Sequence, residues 1–425
     1  MQQVVIVGAG FGGLEAARRL AGKPVRVTVV DRHNYHLFQP LLYQVATAGL
    51  DAQNIAHALR GIFQDADNVD FRLAQATGVD FGERCVTVDA GDQIPYDFLI
   101  LAAGATTETL GIQGVREHAY PLKTLSDAVR LRDHILRRFE QVDKDPTLVA
   151  DGALTFVVVG GGPTGVEVCG ALVELFDHVL ARDFRNLDLA EARIVLVEAL
   201  PHLLDAYSPP SREYVRRTLE SRGVDVVLDA PLEAVGASFI RLAGGDQIPT
   251  HTVVWAAGVR AQPLADALDL EQTKGGRIVV ERDLSVPGRP DVFVIGDLAG
   301  ATDPTGALYP QLAPVAQQQA HHAVRQIALR RRGQPTEPFR YRHKGIMATV
   351  GRNAAVAELP LGLRLRGFVA WLTWLVAHLL FLVGYRNRAG VLLEWLYNYA
   401  TYDRASRLIV GWQDEPRYAP AEDGG

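Results

Sequence analysis

Short unbroken apolar runs alternate along this chain with longer stretches whose apolar residues recur every three or four positions, the pattern of buried parallel strands separated by helices. The run Val4–Val7 enters Gly8, Gly10 and Gly13 and passes into a helical pattern at Leu14–Leu20, and a second strand at Val25–Val30 ends in Asp31. The same order returns at Phe156–Val159, which enters Gly160, Gly162 and Gly165 before a helical pattern reaching Leu175, with a partner strand Ile194–Val197 ending in Glu198. Strand, glycine turn and helix together read as a dinucleotide site: glycines let the backbone turn sharply and approach a pyrophosphate, which the free N–H groups and dipole of the helix start stabilise. A carboxylate ending the second strand is placed to accept hydrogen bonds from a ribose.

Each unit also carries a closing strand that ends on small residues, Phe98–Leu101 into Ala102-Ala103-Gly104-Ala105 and Val253–Gly258. Such an ending lets the chain cross a cofactor without a side chain in the way, and its recurrence marks an internal repeat. Glu198 follows Gly160 at more than the roughly 20 residues usual for such a unit, which points to an insertion at His178–Ala192. No arginine directly follows Glu198, so NADH is favoured over NADPH. Gln53–Phe63, Leu125–Phe139 and Ser211–Arg222 read as helices, Val69–Val79 and Arg84–Val88 as strands. Val292–Ile295 reads as a strand returning to the first unit, where Gly296-Asp297 suits a hydrogen bond to a flavin's ribityl chain. The predicted fold class is α/β: two Rossmann-like domains, the second inserted in the first, plus a C-terminal helical region. The corresponding boundaries are 1–118, 119–275, 276–355 and 356–425.

At 425 residues, 48% apolar and a formal charge of −6, the chain is neither disordered nor a nucleic-acid binder by bulk charge. Cys85 and Cys169 are its only cysteines and lie far apart, which excludes an intrachain disulfide scaffold, a zinc cluster or a redox dithiol; no metal site is expected. No basic-then-apolar leader precedes the first strand, so an unexported protein is expected. From Gly367 the composition turns apolar and aromatic. Gly367–Tyr385 approaches the ~20 residues that span a bilayer, but the basic flanks Arg364/Arg366 and Arg386/Arg388 give no inside–outside asymmetry. Val391, Leu392, Trp395, Leu396, Tyr399 and Tyr402 recur at helical spacing with Glu394 and Asn398 opposite. This predicts a two-helix interfacial anchor over 367–402; a spanning helix and a helix buried in the core or in a homodimer are the competing readings.

The motif order GAGFGG with Asp31, AAGA, GGGPTGVE with Glu198, AAG and VIGD resembles the two-dinucleotide-domain flavoprotein reductases. HNYHLFQPLLYQVATAG at 33–49, the DFRNLDLAEARIVLVEA insertion, LAPVAQQQA at 312–320 and HKGIMATVG at 343–351 are similar, within that group, to type II NADH:quinone oxidoreductase, the single-subunit, non-proton-pumping NADH dehydrogenase. The resemblance covers essentially the whole chain. It implies FAD at Gly8, Gly10, Phe11, Gly12, Gly13, Asp31, Arg32, Gln44, Ala103, Gly104, Gly296 and Asp297, and NADH at Gly160, Gly162, Pro163, Thr164, Gly165, Glu198, Ala257 and Gly258. It further implies a quinone headgroup at Gln318 and Gln319 and a place at the cytoplasmic face of the inner membrane. The chain departs from the pattern at Ala313-Pro314, where an Ala-Gln pair is frequent, and at His343, where Asp is common. An amide does not titrate near neutral pH, so another group must supply protons to the quinone. Glu167, expected in the first turn of the second phosphate-binding helix and paired with Lys344, is the candidate for proton handling or for gating between the two half-reactions. The alternatives are a soluble flavin reductase feeding an iron–sulfur protein or oxygen, and an NADH-sensing flavoprotein. A sulfide:quinone oxidoreductase is disfavoured because its cysteine pair is missing.

Overall fold

A computed structural model describes residues 1–401 and 406–410. The chain forms two compact units, one of Met1–Leu37, Ala56–Thr106 and Val259–His343, the other of Phe38–Ile55, Thr107–Gly258 and the chain from Lys344 onward.

The first unit is built on a six-stranded sheet in the order Ser285–Val286, Arg289–Val294, Phe98–Leu101, Gln2–Val7, Val25–Asp31, Val69–Leu73, with only the first pair antiparallel. The second holds a five-stranded parallel sheet in the order Ala119–Pro121, Thr252–Trp255, Thr155–Val159, Arg193–Val197, Val224–Val227. In each sheet the strand before the glycine turn lies between its carboxylate-bearing partner and the closing strand, so the repeat read from the sequence is a repeat of topology. Parallel strands covered on both faces bury every side chain, which is why Val4–Val7 and Phe156–Val159 are continuous apolar runs with all residues buried. The second sheet lies in sequence within the segments of the first unit, as expected for a nested domain.

Several local expectations are corrected. Gln53–Phe63 is not one helix. Short helical turns at Ala52–Ile55 and Leu59–Ile62 flank a strand, Ala56–Ala58, that pairs antiparallel with Tyr35–Leu37. Val69–Val79 divides into Val69–Leu73, in the main sheet, and Ala76–Asp80, in a separate three-stranded sheet. The helix after the second turn does not stop before the presumed insertion: it runs from Pro163 to Leu175 and continues through a π turn at Phe176–Leu180 to Asp183. The inserted excursion is therefore shorter than His178–Ala192. Phe38–Ile55 groups with the second unit because Leu42–Ala46 packs on the helices Leu125–Lys144 and Pro163–Leu175.

Beyond Lys344 come a three-stranded antiparallel sheet, Ile346–Thr349, Ala355–Glu358 and Arg364–Arg366, and the helices Gly367–Phe381 and Tyr385–Thr401. Ala370, Trp371 and Trp374 of the first helix are buried, the first two against Ala355 and Ala357 of the sheet. The expected polarity of the last helix is wrong in detail. Val391 and Trp395 face inward, and so do Glu394, whose Oε1 accepts from Asn54 Nδ2 at 2.6 Å, and Asn398, which donates to the Gly49 carbonyl at 2.9 Å. Leu392, Leu393, Leu396 and Tyr397 are exposed. Tyr402 lies outside the described residues.

Candidate active site

In the first unit the backbone leaves Gln2–Val7 at Gly8 with φ +99°, where a Cβ would sit 2.4 Å from the Ala102 carbonyl oxygen. Gly13 seats the following helix, Phe11–Leu20, on the turn: a Cβ there would lie 1.7 Å from the Gly8 carbonyl oxygen. Gly10, which caps that helix, has nothing within 4 Å of its Cβ position, an open face at a helix N-terminus. Asp31 accepts the Ala9 N–H at Oδ2, 2.6 Å, and the His33 N–H at Oδ1, 2.8 Å. Gly12 lets the helix approach Ile295 and the Ala316 carbonyl, while Phe11 meets His36 edge-on with ring centroids 5.3 Å apart. Arg32 is exposed, and Ala103 and Gly104 follow the closing strand at the same end of the sheet.

The second unit repeats the construction. Gly160 has φ +109°, and a Cβ would sit 2.9 Å from the Ala256 backbone; at Gly165 it would sit 1.9 Å from the Gly160 carbonyl oxygen, and at Gly162 it would be free. Glu198 accepts the Gly161 N–H at 2.5 Å and the Leu200 N–H at 2.9 Å. Pro163 occupies the first helical position, where its missing N–H costs nothing, and both it and Thr164 are exposed. Ala257 and Gly258 follow the closing strand Thr252–Trp255. Two crowded glycines, one open glycine and a carboxylate at the strand end fit a dinucleotide at each turn.

Asp297 opens a short turn, Gly296–Leu298, in the first unit. The Gly296 N–H donates to Gln319 Oε1 at 2.7 Å; Gln319 is fully buried, and among the described residues its Nε2 has no partner. An orphaned buried donor beside Asp297 fits an acceptor on a bound flavin. Gln318 instead closes a reciprocal pair with the Arg342 backbone, donating at 3.0 Å and accepting at 2.9 Å. Gln44 lies in the second unit, where it donates to the Tyr43 hydroxyl at 3.0 Å and accepts from Trp395 Nε1 at 2.9 Å.

Glu167 is the fifth residue of the helix Pro163–Leu175, not a first-turn residue, because Pro163 begins the helix directly after Gly162. It is buried, and desolvation pushes its pKa from the ordinary 4.5 to about 8; the Thr349 N–H, donating at 3.4 Å, opposes this only weakly. The Trp374 indole N–H faces the same carboxyl without closing a hydrogen bond. Tyr43 and Tyr207 are buried around it, and their hydroxyls are pushed upward, by burial first and then by Glu167. The expected pair with Lys344 does not form. Lys344 is exposed, and among the described residues no ion pair joins it to Glu167. A carboxyl neutralised by burial needs no counter-charge.

Sequence reasoning marked the 33–50 segment as unusual but assigned His36 no role; its ring reaches the Ala9 carbonyl at 2.9 Å. It also missed Tyr43, Thr349 and Trp374 around Glu167, whose only signal is their membership of the family-like segments 33–49 and 343–351 and of the aromatic tail.

Two dinucleotide turns with a flavin-type Asp297 turn define a two-domain pyridine-nucleotide reductase. A family model described as pyridine nucleotide-disulphide oxidoreductase matches residues 2–320, and one described as the NDH2 C-terminal domain matches 343–401. The type II NADH:quinone oxidoreductase NdhA of Mycobacterium tuberculosis is 41% identical over 96% of this chain and 89% of its own length. Ndh of the same organism is 38% identical over 97% of this chain and 91% of its own. The chain belongs to the type II NADH:quinone oxidoreductase family. In fold it matches NDH2 of Plasmodium falciparum, solved with NADH, with a TM-score of 0.85 at 19% identity over 96% of this chain and 100% of that one. The sulfide:quinone oxidoreductase of Aquifex aeolicus shares the fold at TM-score 0.73 and 18% identity, over 92% of each chain. Here Cys85 and Cys169 are both buried, in separate units, so the chain offers no equivalent of a reactive cysteine pair.

Proposed function

We propose that this chain oxidises NADH bound at the Gly160–Gly165 turn and reduces a quinone by way of FAD bound at the Gly8–Gly13 turn, without pumping protons. Held at the first turn, FAD would supply the redox chemistry that links NADH to the quinone. The protein's part is to hold and orient the partners. Asp31 and Glu198 brace their turns and face the two riboses, and Gln319 presents its unpartnered amide N–H toward the flavin beside Asp297. Glu167 holds a proton on its carboxyl at neutral pH and is our candidate for supplying the protons that quinone reduction consumes. The observation that carries this reading is the paired construction of the two turns on one chain, together with the family's C-terminal segment.

On Gly367–Phe381 the exposed residues Phe368, Val369, Leu372, Val376 and Leu380 fall on one stripe at helical spacing, and Phe381 and, on the next helix, Leu392, Leu393 and Leu396 are exposed as well. Among the described residues no helix is long and apolar enough to cross a membrane. We assign this stripe to the lipid interface at the cytoplasmic face, where it meets a lipid-dissolved quinone. Removing the tail would strip Trp371 and Trp374 from the core, so substitution on the exposed side is the cleaner test. The variant Leu372→Glu/Leu380→Glu is expected to leave vesicles for the soluble fraction with NADH-to-ferricyanide turnover intact; continued sedimentation with vesicles would overturn the assignment. For the redox function, anaerobic rapid mixing with NADH should bleach the flavin band and a short-chain quinone should restore it. A flavin that NADH does not bleach, or that only oxygen or an iron–sulfur protein reoxidises, would sink the quinone reading.

A further inference from the structure

Ala9 in the first turn is held at both of its peptide groups. The Ala9 N–H donates to Asp31 Oδ2 at 2.6 Å, and the Ala9 carbonyl lies 2.9 Å from His36 Nδ1. A carbonyl oxygen can only accept, so Nδ1 carries the proton and Nε2 of the neutral ring is an acceptor. His36 is 2% exposed, and among the described residues its Nε2 has no partner. Burial lowers its pKa from 6.5 to about 4, so the ring is neutral near pH 7 and the bond persists there. On its other side the ring stands edge-on to Phe11, the first residue of the phosphate-binding helix.

His36 sits at the centre of the strand Tyr35–Leu37, paired with Ala56–Ala58. These are the points where the chain leaves the first unit and returns to it. So short a strand pair has little stability of its own, and it delivers one buried ring to one backbone carbonyl. The second turn holds the matching residue, Gly161, differently. The Gly161 N–H donates to Glu198 at 2.5 Å, but the Gly161 carbonyl accepts the Leu204 backbone N–H at 2.8 Å. There the grip is all backbone on the carbonyl side. In the first turn it depends on a single side chain.

We infer that His36 is a positioning residue for FAD: by fixing the Ala9–Gly10 peptide through its carbonyl, it holds the amides that follow in the conformation that receives the pyrophosphate, and so sets how long FAD stays bound. The inference rests on FAD occupying the first turn.

The test compares His36→Asn, whose side-chain amide stands where Nδ1 stands, with His36→Gln, whose amide reaches the Nε2 position. Both are made in the full-length FAD-loaded protein, and FAD release on dilution is followed by the fluorescence of free flavin. Losing one hydrogen bond of this kind corresponds to release about 5- to 10-fold faster in the Gln variant, with the Asn variant within about twofold of wild type. NADH binding is unchanged in both. Equal release from the Asn and Gln variants, or wild-type release from the Gln variant, would overturn the inference. If the Gln change weakens NADH while FAD is held normally, the assignment of FAD to the first turn has failed instead. Should the Gln variant not fold, an Asn variant that releases FAD more than about fivefold faster than wild type overturns the inference, and one that retains it supports it.

Discussion

Glu15 and Glu167 hold the same place in the two repeats, each the fifth residue of the helix that leaves a glycine turn, and they have opposite surroundings. Glu15 is part-exposed and pairs with Arg19 one turn on, at 2.6 Å. Glu167 is sealed among Tyr43, Thr349, Tyr207 and Trp374 with its pKa raised to about 8 by burial. The turns themselves are nearly superimposable in logic: crowded first and third glycines, an open middle glycine, and a carboxylate that braces the turn amide. One motif thus specifies the phosphate cradle and leaves the chemistry of its neighbouring acid to whatever packs over the helix. In the first repeat the position is a surface salt bridge. In the second it is a buried carboxyl whose protonated form burial favours.

The shared part of this comparison is broken most severely at the crowded glycines. Gly13→Ala and Gly165→Ala each drive a Cβ into a carbonyl oxygen, at 1.7 Å and 1.9 Å, and the backbone cannot yield as a side chain would. A penalty of about 3 kcal/mol or more, roughly 100-fold or greater in affinity, is expected for FAD in the first case and NADH in the second. Flavin absorbance of the purified protein and NADH titration report the two separately. Affinity within tenfold of wild type in either variant would refute the crowding argument.

The divergent part is tested by pH. Because the folded-state pKa of Glu167 lies above 4.5, its neutral form favours the native state; that stability is fully present below pH 4.5 and is lost as pH rises through about 8. At about 1.4 kcal/mol per unit, the loss across this window is of order a few kcal/mol. Glu167→Gln removes the dependence, which urea unfolding of the FAD-loaded protein at pH 5 and pH 8 measures. An unaltered difference between the two pH values would show that Glu167 is ionised in the native protein. The same substitution should shift the pH profile of quinone reduction while NADH-to-ferricyanide turnover keeps its profile.

Asp31→Ala and Glu198→Ala each remove two hydrogen bonds to a charged acceptor. At about 1.5 to 3 kcal/mol per such bond, partly recovered by water, each variant is expected to bind its own cofactor roughly 10- to 100-fold more weakly and the other normally. An effect on the wrong cofactor would reverse the assignment of the turns. The smallest effect belongs to Glu15→Gln, which removes an exposed i,i+4 pair. A change of about 0.3 to 0.5 kcal/mol is expected in the same unfolding measurement.

Much of the fold was legible because it rests on local pattern. Unbroken apolar runs announce strands buried on both faces, and the spacing of Gly8, Gly10 and Gly13, repeated at Gly160, Gly162 and Gly165, announces turns that only glycine can make. The places that misled are those where a distant segment overrides local preference. The helical pattern of Gln53–Phe63 is interrupted because Ala56–Ala58 finds a strand partner at Tyr35–Leu37. Glu394 looks like a solvent-facing acid on an amphipathic helix, yet it turns inward to Asn54, 340 residues earlier in the chain.

The order and spacing of residues sufficed for the two nucleotide units, their nesting, the absence of a cysteine pair and the family, since each depends on neighbours along the chain. Folding alone decided that Glu167 is buried without Lys344, that among the described residues Gln319 keeps an unpartnered amide N–H while Gln318 does not, and that His36 grips Ala9. Burial and hydrogen-bond partners are properties of three-dimensional surroundings, and no periodicity encodes which remote side chain will close over a given carboxyl, amide or ring.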